Sequence, residues 1–284
     1  MNTVKKCALI VMLALVANQG ASAIQDTLPL KIHFVDAFGE AYEAEYHPEW
    51  PQCRFEKSGF VHDGDSVSYV GDDAYTSRLG IDVSYHQRSI DWNQVKDAGY
   101  EFVIIRVGYR GYGKAGNICG DTRFAEYVKG ARNVGLDVGV YFFSQAINEE
   151  EAVEEAEFCL QQLESVGLTP DNMEMPVVYD PESILDAEAR TDNVTGEQFT
   201  ANSVAFCERI KEEGYETMIY ANMKWEAFLL DLSKLSDYPF WYADYEEQPQ
   251  TPYNFSMWQY SNTASVPGVS GECDVDVQLI PIRK

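Results

Sequence analysis

The sequence is poor in basic residues and rich in acidic ones. Its 284 residues include 21 lysines and arginines against 46 aspartates and glutamates, which gives a formal net charge of −25. Proteins that bind nucleic acid carry basic faces, so this balance argues against a nucleic-acid partner and against adhesion to anionic membranes. The 45% apolar and 13% aromatic content supports a folded core, so we interpret the charge as a solvated surface rather than as disorder.

The sequence also lacks an apolar run of the roughly 20 residues that a membrane-spanning helix needs. Its longest run, Cys7–Ala17, follows Lys5 and Lys6 and precedes the small residues Ala21–Ala23. This order is typical of a cleaved secretory signal. We therefore interpret residues 1–23 as a signal peptide, and we expect a secreted protein that has no membrane attachment after cleavage.

Cysteine spacing gives no sign of a metal site, because no CxxC pair is present. The five cysteines that remain after signal cleavage are Cys53, Cys119, Cys159, Cys207 and Cys273. Their odd number leaves at least one free thiol. Cys159 and Cys207 fall on predicted helix faces with apolar neighbours, so we expect them to be buried as small hydrophobic residues rather than bridged. We expect no metal and no cofactor.

From Gly80 onward, short apolar segments alternate with amphipathic ones, which is typical of a parallel α/β fold. The eight predicted strands are Gly80–His86, Phe102–Tyr109, Asp137–Ser144, Met175–Glu182, Glu216–Met223, Pro239–Tyr245, Phe255–Ser261 and Val275–Pro281. The predicted helices are Asp91–Ala98, Thr122–Asn133, Asn148–Val166 and Gly196–Glu213. The last three strands have few helical residues between them, and no glycine-rich phosphate loop follows the first strand. We therefore expect an irregular TIM-like (β/α) barrel rather than an open doubly wound sheet.

Residues 24–79 show a different pattern. The β-forming segments Leu30–Val35 and Ser66–Val70 are separated by polar and aromatic residues and by a turn at Asp63–Gly64. We expect a small N-terminal β-hairpin extension that packs on a barrel formed by residues 80–284. The extension is short for an independent binding module.

The segment Met175–Glu182 is the most informative for chemistry. Side chains two residues apart on a strand point to the same side, so Asp180 and Glu182 should emerge together at the carboxyl end of the strand. Catalytic groups of barrels lie at that end. Two adjacent, partly shielded carboxyls cannot both ionise easily, so one pKa should rise and that group can donate a proton, as glycosidic cleavage requires. The alternative is a pair of acids in a solvated loop.

Three other predicted strands end in acids or aromatics. The first places Asp82, Ser84 and His86 on one face, which should point to the same mouth as Asp180. Trp241 ends one late strand, and Trp258 and Tyr260 end another. Such aromatics are flat platforms for sugar rings, and the alternative for each tryptophan is packing in the core.

The final predicted strand is also acidic. Asp274, Asp276 and Gln278 share one of its faces, so one of the acids should reach the barrel mouth. The alternative is a calcium site, although no glycine spacing of the EF-hand type follows.

In combination, these segments resemble glycoside hydrolase family 25, the muramidases called Chalaropsis-type or phage-type lysozymes. The resemblance runs in family order over most of the length after Gly80. The matching stretches are Gly80–Gln87, Phe102–Arg106, Gly139–Phe143, Val178–Glu182, Tyr220–Ala221, Trp241–Ala243, Met257–Tyr260 and Val275–Asp276.

The resemblance implies hydrolysis of the β-1,4 bond between N-acetylmuramic acid and N-acetylglucosamine in peptidoglycan. It implies that Glu182 is the general acid, and that Asp180 assists attack by the substrate's N-acetyl group or by a water. Asp82 and Asp276 match the other two acids of the family site, and Tyr141 and Tyr220 are expected to contact substrate. Two departures from the family pattern leave these carboxylates in place: Phe142 replaces a common histidine, and Gln278 replaces a common asparagine.

Two other functions remain open at this point. One is a barrel that binds cell-wall carbohydrate without cleaving it, although a binder has no need for four acids that repel one another. The other is a chitinase-like glycosidase that uses the same N-acetyl assistance. In each case we expect a monomer, and for the muramidase the partner is a peptidoglycan glycan strand.

Overall fold

A computed structural model describes residues 30–185 and 187–282 of the chain. The predicted signal peptide, residues 1–23, lies outside the described residues. Within them, no helix combines the length and the hydropathy needed to cross a membrane.

The N-terminal part contains two small antiparallel hairpins rather than the single one predicted. The first pairs β1 (Lys31–Val35) with β2 (Ala41–Glu45), and the second pairs β3 (Phe60–Asp63) with β4 (Ser66–Tyr69). Both predicted strands exist, but each pairs with a closer partner. Glycines with positive φ make the two turns, Gly39 at 78° and Gly64 at 61°, and short local turns of this kind favour nearby pairing.

Nine strands follow, and eight of them close into a barrel. They are β5 (Tyr75–Val83), β6 (Phe102–Arg110), β7 (Ile118–Gly120), β8 (Asp137–Ser144), β9 (Val177–Pro181), β10 (Thr217–Asn222), β11 (Phe240–Ala243), β12 (Met257–Ala264) and β13 (Cys273–Pro281). The barrel order is β5-β6-β8-β9-β10-β11-β12-β13, with β13 returning to β5, and β7 extends the sheet beside β6. All barrel neighbours are parallel except β13, which is antiparallel to both β12 and β5. The prediction of an irregular (β/α) barrel is confirmed.

Helices separate the early barrel strands and then become scarce. They are α1 (Trp92–Asp97), α2 (Phe124–Asn133), α3 (Glu149–Ser165), α4 (Gly196–Glu212) and the short α5 (Met223–Phe228). Polar side chains cap the starts of α1, α3, α4 and α5. For example, the side chain of Asn148 accepts a hydrogen bond from the backbone of Glu151 at the beginning of α3. In the described part of the chain, no α-helix lies between β11, β12 and β13, as the sequence predicts.

The main hydrophobic core lies between the barrel and its helices. Cys159 on α3 and Cys207 on α4 are completely buried there, which confirms their prediction as small core residues. All five cysteines in the described residues are free.

The first barrel strand differs from its prediction at both ends. β5 begins at Tyr75, because residues 75–79 pair with the end of β13, so the predicted boundary between residues 79 and 80 falls inside a barrel strand. It ends at Val83, because the Ser84 hydroxyl caps a short 3-10 turn over Tyr85–Gln87. His86 therefore lies exposed on that turn, and its predicted place on the strand face beside Asp82 is wrong.

Candidate functional site

The carboxyl ends of the parallel barrel strands surround one mouth, and polar side chains from several of these strands converge there. Because β13 runs in the opposite direction, its first residues lie at this same mouth. Five carboxyl groups meet in this acidic mouth: Asp82 from β5, Asp180 and Glu182 at the end of β9, and Asp274 and Asp276 from β13. The structure thus brings together all four carboxylates predicted as catalytic.

Asp180 and Glu182 lie next to each other at the end of β9, and the ionisation of one carboxyl group affects that of the other. Burial raises the pKa of both groups, and the charge of Glu182 raises the pKa of Asp180 further. Because the two carboxyl groups interact, their titration belongs to the pair rather than to either residue. Asp180 is 4% exposed, whereas Glu182 is half-buried and opens into a groove. The pair therefore presents one carboxyl to the groove and keeps the other beneath it.

Asp82 is fixed by a glutamine that connects three sides of the mouth. Gln259 on β12 donates a hydrogen bond from Nε2 to Asp82 Oδ2 at 2.7 Å. Its Oε1 accepts hydrogen bonds from the hydroxyls of Tyr220 at 3.0 Å and Tyr245 at 2.9 Å. Burial raises the pKa of Asp82, and the charges of Asp274 and other acids of the mouth add to that effect. Gln259 thus fixes the position of a buried carboxyl group, and the surroundings favour the protonated form of that group.

Asp274 and Asp276 lie at two depths on the same face of β13. Asp274 is opposite Asp82 in the strand register, and burial together with the charge of Glu182 raises its pKa to about 7. Asp276 is deeper and fully buried, with Oδ1 accepting a hydrogen bond from Trp241 Nε1 at 2.8 Å. Gln278, two residues further, accepts a hydrogen bond from Arg78 Nε, at the opposite end of the barrel from the acidic mouth.

Arg106 on β6 supplies positive charge beside these acids. Its charge opposes the rise in the pKa of Asp180. The guanidinium forms an ion pair with Asp121 at 3.0 Å and lies over the ring of Tyr85 at 5.0 Å. Asp121 therefore balances much of the arginine charge, and burial remains the main influence on Asp180.

The aromatic residues predicted to contact substrate fall into two groups. Tyr141, Tyr220 and Trp241 face the barrel interior, where Trp241 packs edge-on against Tyr220 at 4.9 Å and Tyr141 at 6.1 Å between ring centroids. Trp241 is only 1% exposed, so it forms the floor of the site rather than an open platform.

Trp258 and Tyr260 face away from the site, so their prediction as substrate contacts does not agree with their positions. Trp258 is completely buried and packs on Phe60 at 4.9 Å, and the Tyr260 hydroxyl donates to the carbonyl oxygen of Asp65 at 2.9 Å. Alternation along β12 places Gln259 inside the barrel and these two rings outside. The second hairpin covers them, which is why large aromatics are buried on the outer face.

Four polar residues of the mouth are missing from the predicted site: Arg106, Tyr245, Gln259 and Asp274. Asp274 and Gln259 lie in segments that the sequence marks as informative. The residues predicted for the site were their neighbours Asp276, Trp258 and Tyr260. For Gln259, the signal is the alternation of side chains along β12. Trp241 pairs with Met257 in the register, and cross-strand partners share a face. Gln259 then lies on the same inner face as Met257.

A groove of about 550 Å³ leads away from the acidic mouth. Glu182, Tyr220 and Tyr245 line its inner end, and residues of the first hairpin line its outer end. Within the described ranges, no three His, Cys, Asp or Glu side chains are arranged to hold a metal ion. The arrangement can therefore supply a proton at the groove from one carboxyl, next to others that can stabilise positive charge.

The chain is similar to known proteins over most of its barrel. The model of glycosyl hydrolases family 25 matches residues 81–269. The autolytic lysozyme of Clostridium acetobutylicum is 27% identical over 198 residues, which cover 69% of this chain and 54% of that protein. Lysozyme M1 of Streptomyces globisporus is 30% identical over 202 residues, which cover 69% of this chain and 65% of that protein. The chain thus spans between about half and two thirds of these relatives.

Solved structures share the fold. The bacterial lysozyme from Streptomyces coelicolor has a TM-score of 0.57 at 27% identity, over 70% of this chain and 90% of that one. The modular autolysin LytC from Streptococcus pneumoniae, solved in complex with a synthetic peptidoglycan ligand, has a TM-score of 0.63 at 22% identity, over 86% of this chain and 56% of that one.

Proposed function

This chain belongs to glycosyl hydrolase family 25, and on that premise we propose that it is an N-acetylmuramidase. It hydrolyses the β-1,4 bond between N-acetylmuramic acid and N-acetylglucosamine in peptidoglycan. The observation that carries the proposal is the pair of interacting carboxyl groups of Asp180 and Glu182 at the carboxyl end of β9, where Glu182 lines the groove. Relatives named as lysozymes, and a structural neighbour solved with a peptidoglycan ligand, support the choice of substrate.

In the proposed mechanism, Glu182 is the general acid. It is the member of the pair that lines the groove, so it can reach the oxygen of the leaving sugar. Burial raises its pKa, which keeps a proton available on the pair at a higher pH than for a carboxyl in water. Asp180 lies beneath it and assists either the N-acetyl group of the substrate or a water in attacking the sugar carbon.

Asp82 and Asp276 stabilise the charge that develops on the substrate and do not transfer a proton to the leaving group. Both are buried and held by single donors, Gln259 and Trp241 respectively. As positive charge develops on the sugar ring, the partially negative oxygens of these preorganised carboxyl groups can stabilise it. Tyr141 and Tyr220 complete the walls and contact the bound sugar.

Product analysis on purified peptidoglycan tests this proposal. The expected new reducing end is N-acetylmuramic acid, and Glu182→Gln should reduce its release by at least about 1,000-fold, because the acid can no longer donate a proton. Glu164→Gln is the matched control, because Glu164 is an exposed glutamate on α3. New N-acetylglucosamine ends, or cleavage of chitin alone, would exclude the muramidase. Binding without any release would identify a carbohydrate-binding barrel.

The proposal includes secretion and action as a monomer on the wall. Export is supported by the sequence of residues 1–23, which resembles a cleaved signal. Expression of the full chain in a secreting host, followed by N-terminal sequencing of the exported protein, should give a start near Ile24. A product that retains Met1 would contradict the signal.

A further inference from the structure

The outer end of the groove is built by a part of the chain that precedes the family match at residue 81. Its wall is the turn of the first hairpin, Asp36–Gly39, and the opposite wall is α5 with its neighbours. Glu182 and Tyr220 lie at the inner end of the same groove. The groove is therefore continuous from the acidic mouth to the N-terminal extension.

Three large apolar side chains line this outer end and remain open. Phe38 is 74% exposed, Leu185 is 69% exposed and Phe228 is 50% exposed, and all three border the groove. Exposed apolar residues scattered singly are ordinary, but a group around one concave surface marks a binding site. Phe228 is supported from behind by Phe34 at 6.1 Å and Tyr42 at 6.2 Å.

The hairpin wall is fixed to the barrel, so the groove has a defined shape. Gln250 exchanges two hydrogen bonds with the backbone of Val35, at 2.8 and 2.9 Å. Lys224 on α5 forms an ion pair with Asp36 at 3.3 Å and donates to the Tyr42 hydroxyl at 3.1 Å. These bonds hold the turn that carries Phe38 against α5, so binding does not have to order it.

The charges of the groove favour a neutral occupant. Among the described residues that line it, Lys224 is the basic one and already has Asp36 as its partner, while Glu182, Asp244 and Glu246 are acidic. A phosphate polymer would meet net negative charge, and a stem peptide carries free carboxylates that would be repelled. The N-acetylglucosamine rings of a glycan offer apolar faces to aromatic side chains and uncharged hydroxyl and acetamido groups to the polar walls, while the lactyl carboxyl group of each N-acetylmuramic acid has to point away from the groove.

We propose that this outer groove is a distal glycan subsite, in which Phe38, Leu185 and Phe228 hold sugar rings of the same strand that is cut at Glu182. The subsite deepens the muramidase proposal and rests on it. It makes the N-terminal hairpin a determinant of substrate length, because short fragments that fill only the acidic mouth do not reach Phe38.

The first test compares peptide-free glycan fragments of two lengths, the shortest that is cleaved and one that is two disaccharides longer. In the wild type, kcat/KM should be higher for the longer fragment. In Phe38→Ala, the ratio of long to short should fall about five- to tenfold, the loss expected when an aromatic contact is removed. Val70→Ala is the matched control, because Val70 is an apolar residue of the extension that is 69% exposed and lies outside the groove. An unchanged ratio in Phe38→Ala would overturn the subsite.

The second test measures binding without turnover, so that the subsite and the muramidase proposal can fail separately. In a Glu182→Gln background, adding Phe38→Ala should weaken binding of the longer fragment about five- to tenfold. That result would support the subsite even if the wild type released no muramic acid ends. Equal affinity with and without Phe38 would overturn it. A loss seen only on strands that carry stem peptides would also overturn it, since the occupant would then be a peptide.

Discussion

The indole nitrogen of Trp241 donates a hydrogen bond of 2.8 Å to Oδ1 of Asp276, and both side chains are almost completely buried. The second carboxyl oxygen of Asp276 meets no hydrogen-bond partner within the described part of the chain. Burial raises the pKa of Asp276, and the bond from Trp241 opposes that rise. Trp241 therefore influences how readily the deepest acid of the site carries charge.

Replacing Trp241 with phenylalanine keeps the ring and removes this donor. We expect kcat/KM on peptidoglycan to fall at least about tenfold, because the buried Asp276 carboxyl loses its hydrogen-bond donor. The matched control is Trp258→Phe, since the Trp258 indole donates to the carbonyl oxygen of Asp244 at 2.7 Å on the outer side of the barrel. That control should lower the melting temperature while losing much less activity. Equal losses of activity in the two variants would contradict the assignment of Trp241 to the inside of the barrel and of Trp258 to its outside.

The pH dependence of activity should respond to Asp274. The pKa of this residue is about 7, raised by burial and then by the charge of Glu182, and such coupling is reciprocal. Replacement by asparagine removes a nearby negative charge, so the Asp180–Glu182 pair should lose its proton at a lower pH. The basic limb of the kcat/KM profile should move down by about half a pH unit to one unit. A limb that stays in place, or that moves to higher pH, would show that Asp274 does not affect the general acid.

We expect Gln259 to be important for activity, although it was not among the predicted site residues. Gln259→Met keeps the length of the side chain but removes the donor to Asp82 and the acceptor of two tyrosine hydroxyls. We expect kcat/KM to fall about 10- to 100-fold, because Asp82, Tyr220 and Tyr245 all lose a partner. Gln198→Met on α4 is the control, since it removes a single bond to Asn202 away from the mouth. If the Gln259→Met variant lost stability but kept its activity, the role of this residue would be structural only.

The barrel was predictable because its strands are local apolar runs between clear breaks. β8 occupies Asp137–Ser144 as predicted, since a Val- and Phe-rich run of eight residues favours a strand wherever it is placed. β5 was harder to predict, because its first five residues are mostly polar and depend on pairing with β13, about 200 residues away. A long-range register of this kind leaves little trace in the local sequence.

The acids of the site were predictable and some of its aromatics were not. No single acid identifies the site, but Asp82, Asp180 and Asp276 stand out together because each lies at or near the end of a predicted apolar strand. Trp258 and Tyr260 were misplaced because both faces of β12 are buried, one by the barrel interior and the other by Phe60 of the second hairpin. When both faces are covered, alternation of apolar and polar residues does not show which face is inside.

Glu226 on α5 makes a prediction about stability. It is 1% exposed, its Oε2 accepts a hydrogen bond from Thr251, and burial raises its pKa to about 8 from a usual value of 4.5. Between these values the folded protein keeps a proton that the unfolded chain has lost, so the free energy of unfolding falls as the pH rises from about 4.5 to 8. One such group contributes up to about 1.4 kcal/mol per pH unit, or about 2–4 °C in melting temperature.

Glu226→Gln removes this ionisation, so its melting temperature should decline less steeply than that of the wild type between pH 5 and pH 8. Part of the decline should remain, because burial also raises the pKa of Glu155 to about 7. Thermal unfolding at four pH values, for the wild type, Glu226→Gln and the exposed control Glu164→Gln, measures the difference. Parallel curves for all three proteins would show that Glu226 is not held protonated in the fold. A smaller slope for Glu226→Gln alone would show that protonated Glu226 contributes to stability at low pH. Its contact with Thr251 would then account for that contribution.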